Sequence, residues 1–188
     1  MISIPMALTG IRLFSPLLVP LLIVQLWPLP SVGWHIFLTV FFLGIGFTDL
    51  LDGYLARRFG EVTKLGRLLD PIADKFLIIS TLLALLSVQA IGFVWILILV
   101  LREIFVMAVR YVACEHGCTI SVSWMSKTKT WLQILLIAYV LSPWGISSSF
   151  AAIFFYYVLV LATVFSAIYA AYRYYLLCLD MVFRVHDF

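Results

Sequence analysis

Four of the nine acidic residues in this 188-residue chain fall in one stretch, TDLLDGYLARRFGEVTKLGRLLDPIADK at 48–75: Asp49, Asp52, Asp70 and Asp74. On a helix, at about 100° per residue, Asp49, Asp52, Gly53 and Ala56 fall within an arc of about 100°. Asp70 and Asp74 are four apart and share a face. The segment between, 57–69, is expected to be a short basic turn, which makes the two helices neighbours. Both carboxylate pairs can then point into one cleft. Two like unit charges about 4 Å apart repel by about 4 kcal/mol at an effective dielectric of about 20, so protons or cations must sit among four. An all-oxygen donor set, with no His or Cys, suits the hard ions Mg²⁺ or Mn²⁺, and such ions also carry phosphates. Gly53 and Ala56 remove bulk beside the acids and let a ligand approach the backbone. Simple pairing with Arg57, Arg58, Arg67 and Lys75 would explain two of the acids, but not four on two matched faces.

The elements that hold these residues are apolar. The chain is 65% hydrophobic and 11% charged, against about 45–50% and about 25% in soluble domains. That excess excludes an ordinary soluble core and predicts an all-α integral membrane protein. Helical spans need about 20 apolar residues. Six are expected, at 7–27, 34–56, 70–88, 92–113, 130–143 and 150–177, the last long enough to run past a bilayer. Breakers mark the gaps: Pro28, Pro30 and Gly33; Gly92; Gly117; Pro143 and Gly145. The runs are too long for barrel strands of about 9–11 residues. One domain is expected over 1–188, with no internal repeat and no cleavable leader, since Arg12 interrupts the first apolar run.

The basic residues orient the chain. With both termini on one side, the opposite loops, about 28–33, 89–91 and 144–149, contain no Lys or Arg. Nearly all the basic residues then collect on the other side, which is therefore cytoplasmic. A net charge of +3 spread this way is a skirt facing lipid and phosphate and excludes a nucleic-acid footprint. Cys114 and Cys118 lie near a cytoplasmic end, where a disulfide is not expected. Cys178 stands alone, and His35, His116 and His186 have no ligand spacing.

Cations also stand outside the acidic stretch. Arg102 lies well inside the fourth span, where a charge is costly and usually functional. Glu103 and Arg110, seven apart, line one face of that helix, and Lys127 and Lys129 open the fifth span. Arg110, Lys127 and Lys129 are expected to face a phosphate, and Arg102 is too deep to snorkel. Snorkelling to headgroups accounts for Arg173 and Arg184.

Written with its spacing, the acidic stretch is D-x-x-D-G-x-x-A-R-x8-G-x-x-x-D-x-x-x-D: Asp49, Asp52, Gly53, Ala56, Arg57, Gly66, Asp70 and Asp74. It resembles the signature of the CDP-alcohol phosphatidyltransferase family at every fixed position. The resemblance implies six transmembrane helices and a cytoplasm-facing dimetal site. It also implies a reaction in which an alcohol attacks the lipid-bearing phosphorus of a CDP-lipid and CMP leaves. It makes Asp49, Asp52, Asp70 and Asp74 the ligands of two Mg²⁺ or Mn²⁺ ions and Asp74 also the base on the acceptor hydroxyl. Asp52, Gly53, Ala56, Arg57 and Gly66 become the CDP-lipid site. IPMALTGIR at 4–12, LREIFVMAVRYVACEHG at 101–117 and SWMSKTKTWLQ at 123–133 resemble the phosphatidylglycerophosphate synthase branch of the family in bacteria. That branch implies CDP-diacylglycerol and sn-glycerol 3-phosphate as substrates, membrane lipids as surroundings and the bacterial inner membrane as location. On that reading Arg110, Lys127 and Lys129, with Arg102 behind, become the acceptor phosphate site: a small dianion suits such a cluster of cations, whereas inositol or choline would not need so many. The alternatives are a cardiolipin synthase or a synthase using inositol phosphate (a phosphatidylinositol-phosphate synthase) or serine, a cation transporter or channel, and a purely structural membrane protein, in which the matched acidic faces would be accidental. Placement of the acids at the cytoplasmic end, and the lack of paired broken helices, speak against the transporter. Monomer and homodimer are both open.

Overall fold

Long apolar runs without turn signals leave the backbone one economical way to satisfy its own N–H and C=O groups, which is helix. A computed structural model of the chain describes the backbone of residues 4–29, 31–59, 64–115 and 124–186. It describes the side chains of 14–29, 31–47, 75–109, 111–113 and 128–179. Among the described residues there are six helices and no strand: α1 (Ile4–Leu26), α2 (Val32–Phe59), α3 (Lys64–Ser87), α4 (Phe93–Glu115), α5 (Trp124–Leu141) and α6 (Phe150–His186). The expected spans sit on these helices one for one. The helices are longer than the spans at their charged ends: α2 continues to Phe59, α3 begins at Lys64, and α5 begins at Trp124. The expected spans stop short of the basic residues Arg57, Arg67 and Lys129, but intrahelical hydrogen bonding does not depend on apolarity. The expected turn at 57–69 is corrected accordingly, since 57–59 and 64–69 are helical.

Helix α1 packs against α3 and α2, α5 against α6 and α2, α4 against α6, and α3 also touches α4 and α5. The core is built from Val19 and Ile23 of α1, Leu38 and Phe42 of α2, Leu82 and Leu85 of α3, and Ile96 and Leu99 of α4. Ile137 and Leu141 of α5 and Val160 and Val164 of α6 complete it. The outer surface is apolar too. On α6, Val160, Val164, Ala167 and Tyr174 face inward, while Phe154, Leu161, Phe165, Ile168 and Tyr172 form an exposed stripe. Soluble monomers rarely expose a contiguous apolar area above a few hundred Å². Among the described residues one helix, over Phe150–Leu179, is long and apolar enough to cross a membrane, and 28% of its most apolar window is buried. Hydroxyls inside the helices bond back to the preceding turn: Thr81 to Leu77 O at 2.7 Å, Thr163 to Leu159 O at 2.6 Å, and Ser166 to Thr163 O at 2.9 Å. These bonds satisfy the hydroxyls within their own helices, and the Thr163 hydroxyl also lies 3.4 Å from Leu132 O of α5.

The links set the bundle's order. Helix α3 ends in a Schellman turn: Ala90 N–H bonds to Leu85 O, and Gln89 N–H to Leu86 O, each at 2.9 Å. Gln89 takes the left-handed position at φ 56°, where glycine is usual. The α5–α6 link turns at Gly145, whose added Cβ would stand 2.5 Å from Val140 O, so only glycine fits. At the same end the Tyr139 hydroxyl donates to Ala152 O at 2.8 Å and ties α5 to the start of α6.

Candidate functional site

The acidic signature lies on continuous helix. Asp49, Asp52, Gly53, Ala56 and Arg57 occupy the last turns of α2, and Gly66, Asp70 and Asp74 the first turns of α3. The i,i+3 and i,i+4 spacings therefore hold as helical spacings, and each pair of carboxylates shares a helix face. Their side chains, like those of Arg110 and Lys127, lie outside the described residues. Among the described residues, α1 and α5 each contact both α2 and α3 and bridge them. The expected direct meeting of α2 with α3 falls on the signature segment itself. The donor set is carboxylate oxygen throughout, a chemistry that fits a hard divalent cation and no soft one.

Around Arg102 and Lys129, two of the residues expected to meet an acceptor, the structure shows a buried charged knot. Arg102 and Glu103 of α4 and Lys129 of α5 are 6%, 5% and 4% exposed. The Glu103 carboxylate takes a bond from Arg102 Nη1 at 3.1 Å through Oε1, and the same oxygen pairs with the Lys129 ammonium. Arg102 Nε donates to Ala167 O of α6 at 3.0 Å. The knot thus joins three helices, and two cations face one carboxylate. Arg102 is buried within the bundle, and its guanidinium is engaged by Glu103 and by the α6 backbone. Lys129 sits in the same group, although the two are 27 positions apart in sequence.

The sequence pattern marks neither Glu103 nor Gln133 as a site residue. Glu103 was placed on the correct helix, but nothing local identifies its partner on α5. Gln133, one helical turn beyond Lys129, is 1% exposed, and neither its Oε1 nor its Nε2 has a hydrogen-bond partner. Its i,i+4 spacing from Lys129 within an otherwise apolar helix is the signal that could have found it.

Comparison with known proteins agrees with the signature. The family model described as CDP-alcohol phosphatidyltransferase matches residues 2–174, which include all eight fixed positions. A Haemophilus influenzae protein named CDP-diacylglycerol–glycerol-3-phosphate 3-phosphatidyltransferase is 34% identical over 170 residues, covering 88% of this chain and 90% of that one. A Blochmanniella floridana protein of the same name is 35% identical over 182 residues, covering 90% of each. A third, from Bacillus subtilis, is 32% identical over 104 residues, covering 55% of this chain and 54% of its own. With a complete signature on two continuous helices and a match across nearly its whole length, the chain belongs to the CDP-alcohol phosphatidyltransferase family.

Proposed function

We propose that this chain is a membrane enzyme that transfers a phosphatidyl group from CDP-diacylglycerol to sn-glycerol 3-phosphate. The products are phosphatidylglycerophosphate and CMP. The observation that carries this is the likeness, across about nine-tenths of both chains, to relatives that bear the name of that activity. The buried cations of α4 and α5 support the acceptor, because a phosphate dianion needs charge-assisted donors.

The whole chain, 1–188, acts as one domain with six membrane-crossing helices. Its apolar outer surface faces lipid, and its basic end and both termini face the cytoplasm. By the bacterial origin of the relatives, the membrane is the bacterial inner membrane. Asp49, Asp52, Asp70 and Asp74 hold two divalent ions, Mg²⁺ or Mn²⁺, at the cytoplasmic end of the bundle. When bound, these ions neutralise the diphosphate and stabilise CMP as it leaves. Asp52, Gly53, Ala56, Arg57 and Gly66 bind the CDP-lipid: Gly53, Ala56 and Gly66 leave room for it, and Arg57 adds positive charge.

The acceptor's phosphate is held by Arg110, Lys127 and Lys129, with Arg102 behind Lys129. This orients its hydroxyl toward Asp74, which takes the proton as the oxygen attacks the lipid-bearing phosphorus. A new P–O bond forms, the phosphoanhydride P–O bond breaks, and CMP departs with the electron pair. A carboxylate is a weak base at neutral pH, so alignment of the two substrates supplies much of the acceleration. No Ser, Cys or His belongs to the signature, so direct displacement in a ternary complex is expected rather than a covalent intermediate. The test is CMP release from CDP-diacylglycerol by the purified chain in detergent, with and without glycerol 3-phosphate. Release that is indifferent to glycerol 3-phosphate but stimulated by phosphatidylglycerol or inositol phosphate would move the chain to another branch.

A further inference from the structure

The reaction as described leaves Glu103 without a role, yet its carboxylate is the hub of the buried knot. Arg102 is fixed to the α6 backbone through Ala167 O at 3.0 Å and reaches Glu103 at 3.1 Å. Glu103 in turn pairs with Lys129 on α5. A connected path thus runs from α6 through α4 to the ammonium of α5.

We propose that Glu103 is a positioning residue for the acceptor: it holds the Lys129 ammonium at the point where the acceptor's phosphate docks. This deepens the proposed function and rests on Lys129 being a phosphate ligand. A lysine ends a flexible four-carbon stem, so a buried one is placed only by what grips its head. Two buried cations without a counterion would repel each other and be poorly solvated before any ligand arrived. One carboxylate between them removes that penalty and leaves the knot one positive charge in excess, so it still attracts an anion. An ammonium has three N–H donors, so a bond to Glu103 does not preclude a phosphate on the same nitrogen. The sign of the expected effect is the informative part. Removing Glu103 makes the site more positive, which by charge alone should tighten anion binding. If Glu103 positions Lys129, acceptor binding weakens instead.

The experiment uses the full chain purified in detergent, with initial rates of CMP release measured against each substrate. Glu103→Gln is expected to raise the glycerol 3-phosphate KM about tenfold or more, with the CDP-diacylglycerol KM unmoved. In a Lys129→Ala background the same change should add less than about threefold, because its effect passes through the missing lysine. Glu103→Asp, which keeps the charge but withdraws it, should fall between wild type and Glu103→Gln. Thermal melting in the same detergent reports folding. If Glu103→Gln does not fold, Glu103→Asp decides on the same KM split. An acceptor KM that falls or stays put, a rise shared equally by both substrates, or an undiminished effect in the Lys129→Ala background overturns the proposal. A wild-type chain whose CMP release ignores glycerol 3-phosphate overturns the acceptor assignment, and this role with it. Wild-type dependence on glycerol 3-phosphate with an unmoved variant KM overturns the role of Glu103 alone.

Discussion

Replacing Lys129 with methionine keeps an unbranched stem and removes the ammonium, and the consequences separate into two measurable parts. Lys129 is 4% exposed, and its partner Glu103 is 5% exposed. Removing one partner of a buried ion pair costs about 3–5 kcal/mol of stability, because the other charge is left buried. Glu103 keeps Arg102 at 3.1 Å, so the loss should lie at the lower end, about 3 kcal/mol. The second part is catalytic. One charge-assisted hydrogen bond to the acceptor phosphate is lost, about 1.5–3 kcal/mol, which is about 10–150-fold in binding at roughly 1.4 kcal/mol per decade. The loss should fall on the glycerol 3-phosphate KM, provided the acceptor binds in rapid equilibrium, with the CDP-diacylglycerol KM little changed. The assay is initial-rate CMP release in detergent, with each substrate varied at saturating levels of the other. Thermal melting of the same sample gives the stability part. Slow hydrolysis supplies an internal control: water needs no phosphate pocket, so acceptor-free CMP release should survive Lys129→Met but not Asp49→Asn. If Lys129→Met raises only the CDP-diacylglycerol KM, the lysine serves the other substrate and the assignment of glycerol 3-phosphate to this knot is refuted.

EDTA should abolish turnover and Mg²⁺ or Mn²⁺ restore it. Asp49→Asn, Asp52→Asn and Asp70→Asn should each remove most activity with melting unchanged, and full activity in EDTA would refute the dimetal site. Gln133→Leu removes two buried polar atoms that have no hydrogen-bond partner in the structure. It should leave stability unchanged or raise it by up to about 3 kcal/mol; a lower melting temperature would show that the amide is bonded. Gln89→Gly relieves a left-handed conformation at φ 56° and should stabilise by about 1 kcal/mol, read as a higher melting temperature with unchanged KM values.

The acidic signature was legible because its information is local. Asp49 with Asp52, and Asp70 with Asp74, are helical neighbours at spacings that any α-helix turns into a shared face, and α2 and α3 are helical there. The helix count was legible for the same reason, since apolar run length and breakers act within a segment. Helix ends were less so: the expected third span begins at Asp70, past the basic Arg67, whereas α3 starts at Lys64. Bundle order was not legible at all. That α1 lies between α2 and α3, and α6 against both α4 and α5, follows from the fit of side chains between helices distant in sequence. The charged knot belongs to this second kind. The sequence marks Arg102 as a costly intramembrane charge and Lys129 as one basic residue among several. Only the tertiary arrangement brings Lys129 of α5 and Ala167 O of α6 to the two ends of the Arg102–Glu103 pair. A buried charge must find its counterion wherever packing puts one, and that is a property of the bundle rather than of any helix within it.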